Sequence, residues 1–324
     1  MMFFDTILPS AIAIATVFLF GCTGEILIEK SGHLNLGIPG VMCFGTLGGC
    51  IGASLYMSWF SSDPANAPYF GLVFFALLFS ALFSLISGII YAVLTVSCRA
   101  NQNVTGLALT TFGGGIADFF MSKVDKTYFT DASRIISSHL PFADNLGAFG
   151  KIFFGHGILV YLAIVIAIIT AIVLNKTRVG LSLRAVGENP ATADAAGINV
   201  TRYKYVAILV GSIISGFGGL FYVLDYVKGS WENSSTIQAF GWLALALVIF
   251  IVWKPVLAIF GSILFGLLFI LPNYISGISF MQMRLLNLIP YAVTIIVLIV
   301  TSIVGKRSVQ PPSSLGQSYF REER

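Results

Sequence analysis

The sequence predicts an all-α integral membrane protein, and composition, apolar runs and one polar island support this fold class. Of the 324 residues, 57% are hydrophobic and 10% are charged, and the mean hydropathy is +0.91. Soluble domains carry about 25% charged residues, so a soluble fold is excluded. Because a membrane helix needs roughly 20 apolar residues, the length fits one membrane domain built from serial spans.

Nine apolar runs predict about nine transmembrane helices. They are centred on residues 6–22, 40–59, 70–97, 103–121, 152–174, 203–227, 239–253, 256–275 and 287–304. Twelve of the 18 Lys and Arg residues then lie on one side of the membrane, which the positive-inside rule makes cytoplasmic. We therefore expect an external N-terminus, a membrane domain over residues 1–305 and a disordered, Pro- and Ser-rich cytoplasmic tail over 306–324.

Residues 176–204 form a basic, polar island between two apolar runs. Asn189 is a good N-cap, Pro190 suits the first helical position, and Gly197 supplies a left-handed stop. These signals predict one short helix of about two turns, which is unstable alone and is expected to dock on another protein. Its small-residue face consists of Ala193, Ala196 and Gly197.

Polar residues and helix breakers interrupt the apolar pattern between Gly24 and Gly45. Non-helical backbone at membrane depth is tolerated only where protein buries it or where it lines an aqueous cavity. A broken helix over residues 35–40 meets this condition, and Pro39 suits the first turn of a half-helix that faces a polar solute. A simple cytoplasmic loop before a Pro-initiated helix explains the same residues, and both interpretations stay open.

The fourth apolar run opens with three amide side chains, Asn101, Gln102 and Asn103, and then Thr105. Amides there can hydrogen-bond a neutral solute, although buried amides also bridge helices. Asn101 and Asn103 are our candidates for solute contact. Small residues at four-residue spacing predict tight helix packing in the sixth run; these are Ser212, Ser215, Gly216, Gly218 and Gly219.

The sequence contains no catalytic or energy-coupling motif that we recognise. It has no Walker A sequence, no His-Glu-x-x-His and no nucleophile elbow, and its three histidines lack metal-ligand spacing. We expect no metal, no bound cofactor and no enzymatic activity in this chain. Asp118 and Asp225 lie near the ends of runs, so the central ionisable relay of secondary carriers is missing. Energy for transport is then expected from another subunit.

Two segments carry a resemblance to a known family. The first is Glu-Lys-Ser-Gly-His-Leu-Asn-Leu-Gly at residues 29–37, and the second is Leu-Arg-Ala-Val-Gly-Glu-Asn-Pro at residues 183–190. Together with the landmarks at 241–247, 253–255 and 288–291, they resemble the permease subunits of bacterial ATP-binding cassette importers of the branched-chain amino acid, ribose and nucleoside type. The resemblance covers nearly the full chain. Pro39 stands where that family usually has a Glu.

The resemblance implies a type II importer fold with a pore formed by two permease chains, which in this branch are often different paralogues. It also implies cytoplasmic ATPase subunits that hold ATP and Mg, an external solute-binding lipoprotein, a bacterial inner membrane and no nucleic acid partner. The island becomes the coupling segment (residues 176–204), which inserts into a groove of the ATPase. Its implied contact residues are Arg184, Gly187, Glu188, Asn189, Pro190, Ala193, Ala196 and Gly197. Candidates for the substrate path are Asn35, Gly37, Phe44, Asn101, Asn103, Thr105, Phe112, Phe240 and Trp242.

The wording of the motifs is most similar to the nucleoside and simple-sugar branch, some members of which carry riboflavin. Aromatic side chains at Phe44, Phe112 and Phe240 can stack on a flat ring. We therefore expect a ribosyl or ribityl solute with a ring, nucleoside first and riboflavin next, with a plain sugar as the alternative. An ATP-independent secondary carrier and a purely structural anchor are the hypotheses from other classes.

Overall fold

A computed structural model describes residues 6–139, 143–275, 277, 279–304 and 310–320, and its regular structure there is entirely helical. Within these ranges, eight helices are long and apolar enough to cross a membrane. A shorter apolar helix, Ser235–Phe250, coincides with the remaining predicted run. The prediction of an all-α membrane protein with about nine spans is confirmed.

The first four helices are α1 (Leu8–Glu29), α2 (Ile38–Ser58), α3 (Tyr69–Ala92) and α4 (Gln102–Met121). The next are α5 (Lys126–Ile136), α6 (Gly147–Phe153), α7 (Ile158–Lys176), α8 (Arg178–Glu188), α9 (Pro190–Ala195) and α10 (Val200–Phe221). The last are α11 (Ser235–Phe250), α12 (Pro255–Ile270), α13 (Phe280–Leu286) and α14 (Ile289–Val304). Helices α3 and α10 each continue through a π-helical turn, to Ser97 and Tyr226.

Helices α1, α2 and α10 form the centre of the bundle, where small residues let backbones touch. A Cβ added to Gly45 of α2 would clash with the backbone of Gly216 of α10, and one added to Gly24 of α1 would clash with Gly211. The Ser215 hydroxyl donates to the Gly21 carbonyl across 3.3 Å. The predicted tight packing of the sixth run is confirmed, because backbone contact between helices needs residues without bulky side chains.

Two predictions about helices in the middle of the chain are wrong. The apolar run at 152–174 is divided, because Gly155 and Gly157 separate the short α6 from α7, which begins at Ile158. The polar island contains two short helices rather than one. Helix α8 forms before α9 because the Thr177 hydroxyl accepts the Gly180 amide at 3.1 Å and because Leu183 and Val186, three residues apart, bury the same helix face.

Candidate coupling and translocation site

Helix α9 in the coupling segment has the caps that the sequence predicts. Asn189 Oδ1 accepts the Thr192 amide at 3.0 Å, and Pro190 occupies the first turn. At the other end Gly197 has a φ of +82°, and the Ile198 amide donates to the Ala193 carbonyl at 3.0 Å. This left-handed ending satisfies the last carbonyls of the helix, so a helix of six residues is held at both ends.

The small residues of α9 divide between an inner and an outer face. Ala193 is buried with Val186 and Val200 in a satellite core, so the prediction that it lies on the free docking face is wrong. Ala196 and Gly197 are exposed, and nothing in the described part of the chain lies within 4 Å of a Cβ built on Gly197. The surface open to a partner is therefore formed by the outer side of α9 and its C-terminal turn.

The remaining coupling candidates lie where α8 meets α9. Gly187 is buried, and a Cβ there would clash with the Lys30 carbonyl. Arg184 and Pro190 are half-buried, whereas Glu188 and Asn189 are exposed. Burial lowers the pKa of Lys30, and the nearby Glu188 carboxylate opposes that shift. The coupling segment thus packs directly on the connection between α1 and α2.

That connection, residues 30–37, lies between the two helices and is mostly buried. Asn35 is fully buried; its side-chain Oδ1 accepts the Gly37 backbone amide at 2.9 Å, and its backbone N–H donates to Glu25 Oε1 at 3.1 Å. Gly37 caps α2, with Pro39 in the first turn. Asn35 and Gly37 are both buried, so this part of the connection is not an exposed loop. Protein oxygens accept the backbone amides of Leu34, Asn35 and Gly37, as a broken segment requires.

A pair of buried carboxyl groups supports this broken segment, and the sequence reasoning missed both. Glu25 and Glu29 lie one turn apart at the end of α1 and are at most 3% exposed. Glu29 Oε2 accepts the indole N–H of Trp253. Trp253 and Val252 both have positive φ values, 53° and 57°, which are strained for residues with side chains. Two Glu residues four apart at the end of an apolar helix were the available signal.

At the start of α4, the buried amide is Gln102 rather than the two predicted candidates. Gln102 is 2% exposed; its Oε1 accepts the Leu34 amide at 2.8 Å. Asn101 is exposed and caps α4 through a 3.1 Å bond from the Val104 amide. Asn103 is exposed one residue beyond the buried position. Successive helix residues point about 100° apart, so only one of the three amides can face the connection.

Of the other path candidates, Phe112 is exposed, whereas Phe44, Thr105 and Phe240 are buried. Phe112 is 51% exposed on α4, and its ring lies 6.1 Å from that of the buried Phe44. Thr105 lies on the inner side of α4. Phe240 is 3% exposed in an aromatic cluster with Phe18 and Phe269, so its predicted place on an open path is wrong.

Trp242 is half-buried against the same core. Pro39, at the position where the family usually has a Glu, is buried against Gly241 of α11. Within the described chain, this side of α2 is therefore a helix contact and not an open surface. The predicted path residues that are exposed in the described chain are Asn101, Asn103 and Phe112, which lie at the start of α4 or on it.

The tail is ordered over residues 310–320, so the predicted disorder is wrong for this part. Ser314 donates twice to the Gly187 carbonyl, from its amide at 3.1 Å and from its hydroxyl at 2.6 Å. The Tyr319 hydroxyl donates to Asp194 Oδ2 at 2.9 Å. Pro and Ser favour disorder by composition, but the hydroxyl groups here find partners on a polar surface.

His33 is a buried residue of the connection and lies near Lys204 of α10. It is 2% exposed, and burial together with the nearby positive charge of Lys204 lowers its pKa to about 3. The imidazole is therefore neutral at physiological pH. Among the described residues, no group of three His, Cys, Asp or Glu side chains is placed to hold a metal ion.

Comparison with known proteins identifies the class of molecule that this architecture belongs to. Residues 7–298 match the profile of the family described as "Branched-chain amino acid transport system / permease component". The chain belongs to this family of membrane-spanning transport subunits, and the resemblance seen in the motifs is confirmed.

Three relatives are similar over almost the whole chain. The nucleoside ABC transporter permease NupC of Lactococcus lactis is 33% identical over 98% of this chain and 97% of its own length. The guanosine ABC transporter permease NupQ of Bacillus subtilis is 30% identical over 98% and 97%. A putative glucose ABC transporter permease of Haloferax volcanii, TsgC13, is 29% identical over 99% of each chain. The relatives thus carry nucleoside and sugar names.

Proposed function

We propose that this chain is the membrane-spanning subunit of an ATP-driven importer for nucleosides. The observation that carries the proposal is full-length similarity to the nucleoside permease NupC, at 33% identity. The guanosine permease NupQ supports the same class of solute. Riboflavin, our second expected solute, also joins a flat heterocycle to a five-carbon unit rich in hydroxyl groups, and it stays a prediction for the same assay.

The exposed side of α9 is the proposed docking surface for a cytoplasmic ATPase. A short helix with both ends capped projects from the bundle, and Ala196 and Gly197 leave its outer side free of bulk. Because Gly187 packs on the connection between α1 and α2, a push on α9 would reach the broken segment. ATP and Mg are then held by the ATPase, and this chain needs no cofactor and catalyses nothing itself.

A second permease chain, a paralogue of this one, is the proposed partner in the membrane. One side of α4 presents exposed residues along its length, with Val104 65% exposed and Phe112 51% exposed. Two such faces brought together would enclose a path lined by Asn103 and Phe112. An external solute-binding lipoprotein delivers the solute, and lipid surrounds the pair.

The proposed location is the bacterial inner membrane with the C-terminus in the cytoplasm. Residues 310–320 lie on the coupling segment, as the bonds from Ser314 to Gly187 require. Since the ATPase is cytoplasmic in any importer of this class, the coupling segment and the tail share that side. In the predicted topology, twelve of the 18 Lys and Arg residues lie on the side of the coupling segment, which the positive-inside rule makes cytoplasmic.

A simple sugar is the second candidate solute. The Haloferax relative named as a putative glucose permease is 29% identical over the full length. Sugars and nucleosides share a ring with hydroxyl groups, so the same amide and hydroxyl contacts serve both. The rings of Phe44 and Phe112 favour the solute that also has a flat base.

Uptake by reconstituted complex tests the proposal. The complex that co-purifies with the tagged chain is placed in proteoliposomes loaded with Mg-ATP, and its binding protein is added outside with labelled guanosine, adenosine, riboflavin or glucose. We expect nucleoside uptake that requires ATP hydrolysis. ATP-independent uptake by this chain alone would instead establish a secondary carrier, and ATP-driven uptake of glucose alone would establish the sugar alternative.

A further inference from the structure

Residues 312–320, which we call the strap, touch both the coupling segment and the connection between α1 and α2. These are the two regions that an ATP-driven permease has to link. The strap begins at the buried Pro312 and ends at the half-buried Phe320. Its contacts divide into three groups, with α8 and α9, with residues 30–37, and with the start of α4.

The contacts with the coupling segment are hydrogen bonds from side chains and backbone. Ser314 is 4% exposed and gives two bonds to the Gly187 carbonyl, as described above. The Ser313 hydroxyl donates to Glu188 Oε2 at 2.8 Å. The Tyr319 ring packs on the satellite core below α9, and its hydroxyl binds Asp194. The strap thus contacts the end of α8 and the inner side of α9.

The strap contacts the connection through one backbone hydrogen bond and through the side-chain amide of Gln102. The Gly316 amide donates to the Gly32 carbonyl at 3.2 Å. Gln102 of α4 then joins the strap to the broken segment, because its Nε2 donates to the Gln317 carbonyl at 3.3 Å while its Oε1 accepts the Leu34 amide at 2.8 Å. The Tyr91 hydroxyl holds the Leu34 carbonyl at 2.7 Å. One amide side chain therefore connects strap, connection and α4.

Gly187, Gly32 and Ser314 meet at a three-way contact. The Ser314 hydroxyl lies where a Cβ of Gly32 would be, and a Cβ of Gly187 would clash with the Lys30 carbonyl. Gly32 has a φ of +86°, which side chains rarely allow. A side chain at position 32 or 187 would not fit, so α8, the connection and the strap are in direct contact here.

We propose that the strap transmits motion of the coupling segment to the connection between α1 and α2, and that Ser314, Tyr319 and Gln102 are its positioning residues. The inference deepens the proposed function and rests on it. Rigid links of this kind carry coupling through packed groups and hydrogen bonds. Without the strap, the packing of Gly187 against Lys30 and Gly32 would still join α8 to the connection.

The first test is the ratio of solute imported to ATP hydrolysed by the reconstituted complex. A chain that stops after Gln310 and a Ser314→Ala/Tyr319→Phe variant are compared with wild type. Gln317→Ala is the matched control, because residue 317 is exposed and the bonds described for it use its backbone carbonyl and backbone amide, which the substitution keeps. We expect the truncated chain to keep its ATPase rate while the ratio falls at least about fivefold. The double variant should fall in between, and the control should match wild type.

A ratio that stays at the wild-type value in the truncated chain would overturn the proposal. So would uptake and ATP hydrolysis that fall in proportion, because the strap would then serve ATPase docking or folding. These outcomes differ from failure of the proposed function, in which wild type itself shows no ATP-dependent uptake.

Hydrogen exchange on the purified chain supplies a readout that needs no transport. Truncation should speed amide exchange both in α9 and over residues 30–37, because it removes the bonds to Gly187 and Gly32. Unchanged exchange over residues 30–37 would contradict the link, whatever the transport assay gives. Exchange in α5 on the other side of the bundle, Lys126–Ile136, serves as the internal reference.

Discussion

The centre of the bundle and the exposed face of α4 differ in what completes them. In the apolar windows of α1 and α2, 83% of residues are buried, compared with 44% in α4. The centre is closed by glycine backbones of the same chain, whereas the α4 face presents large apolar side chains outward. One chain is therefore sufficient to form the centre, and the α4 face needs lipid or a second chain. Substitutions in the centre should therefore lower the stability of the folded chain, whereas substitutions on the α4 face should affect its assembly with a partner.

The largest effect is expected from a bulky residue at the glycine contact between α2 and α10. Gly45→Leu places a side chain where the Gly216 backbone lies, so the helices must move apart at a cost of about 3 kcal/mol. Fluorescence-detected size-exclusion chromatography after heating should show loss of folded protein. Gly115→Leu on α4 is the matched control, since a Cβ there meets nothing within 4 Å; equal loss in both variants would erase the contrast.

Trp253→Phe should have the next largest effect within the centre. It removes the indole donor to Glu29 and leaves a buried carboxyl oxygen without its partner, which costs about 2 to 3 kcal/mol. The midpoint of thermal unfolding in detergent measures this loss. Trp59→Phe is the control, because Trp59 is 60% exposed at the end of α2. A Trp253→Phe midpoint equal to that of the control would show that the indole bond contributes nothing.

A pH-dependent effect should come from His33. Its pKa is about 3 in the folded chain and about 6.5 when unfolded, so below pH 6.5 the unfolded chain binds a proton that the folded chain does not. Stability is therefore lost as pH falls from 6.5 towards 3, by about 2 kcal/mol at pH 5. His33→Gln should flatten the pH dependence of the unfolding midpoint between pH 7 and 5. If the exposed His139→Gln variant flattens it equally, His33 is not the cause.

Sequence reasoning found the spans, the caps of α9 and the small-residue packing because each depends on local pattern. Apolar runs, Asn189-Pro190 and Gly197 act within a few residues of the chain. It failed where distant segments decide the structure. The Pro- and Ser-rich tail is ordered by Gly187, far away in sequence, and nothing in the tail itself encodes that partner.

The prediction that Asn101 and Asn103, rather than Gln102, are the functional amides at the start of α4 was wrong about which side chain is buried, for a geometric reason. Asn101, Gln102 and Asn103 are chemically alike, and only the position of Leu34 decides that Gln102 is the buried one. Phe240 was placed on a path by its residue type, whereas its neighbours on other helices enclose it. Glu25 and Glu29 lie beyond the first predicted apolar run, which ends at residue 22, whereas α1 continues to Glu29.

The most direct test of the central claim, that the outer side of α9 receives the ATPase, is capture of the ATP-binding subunit by tagged chain. Ala196→Trp puts a large ring on the exposed end of α9. Ala65→Trp is the control, because it puts the same ring on an exposed turn that follows α2, whereas the coupling segment packs near the beginning of α2. We predict capture by wild type and by Ala65→Trp, and at least about tenfold weaker binding by Ala196→Trp, a loss of about 1.4 kcal/mol. Undiminished binding by folded Ala196→Trp would contradict the account.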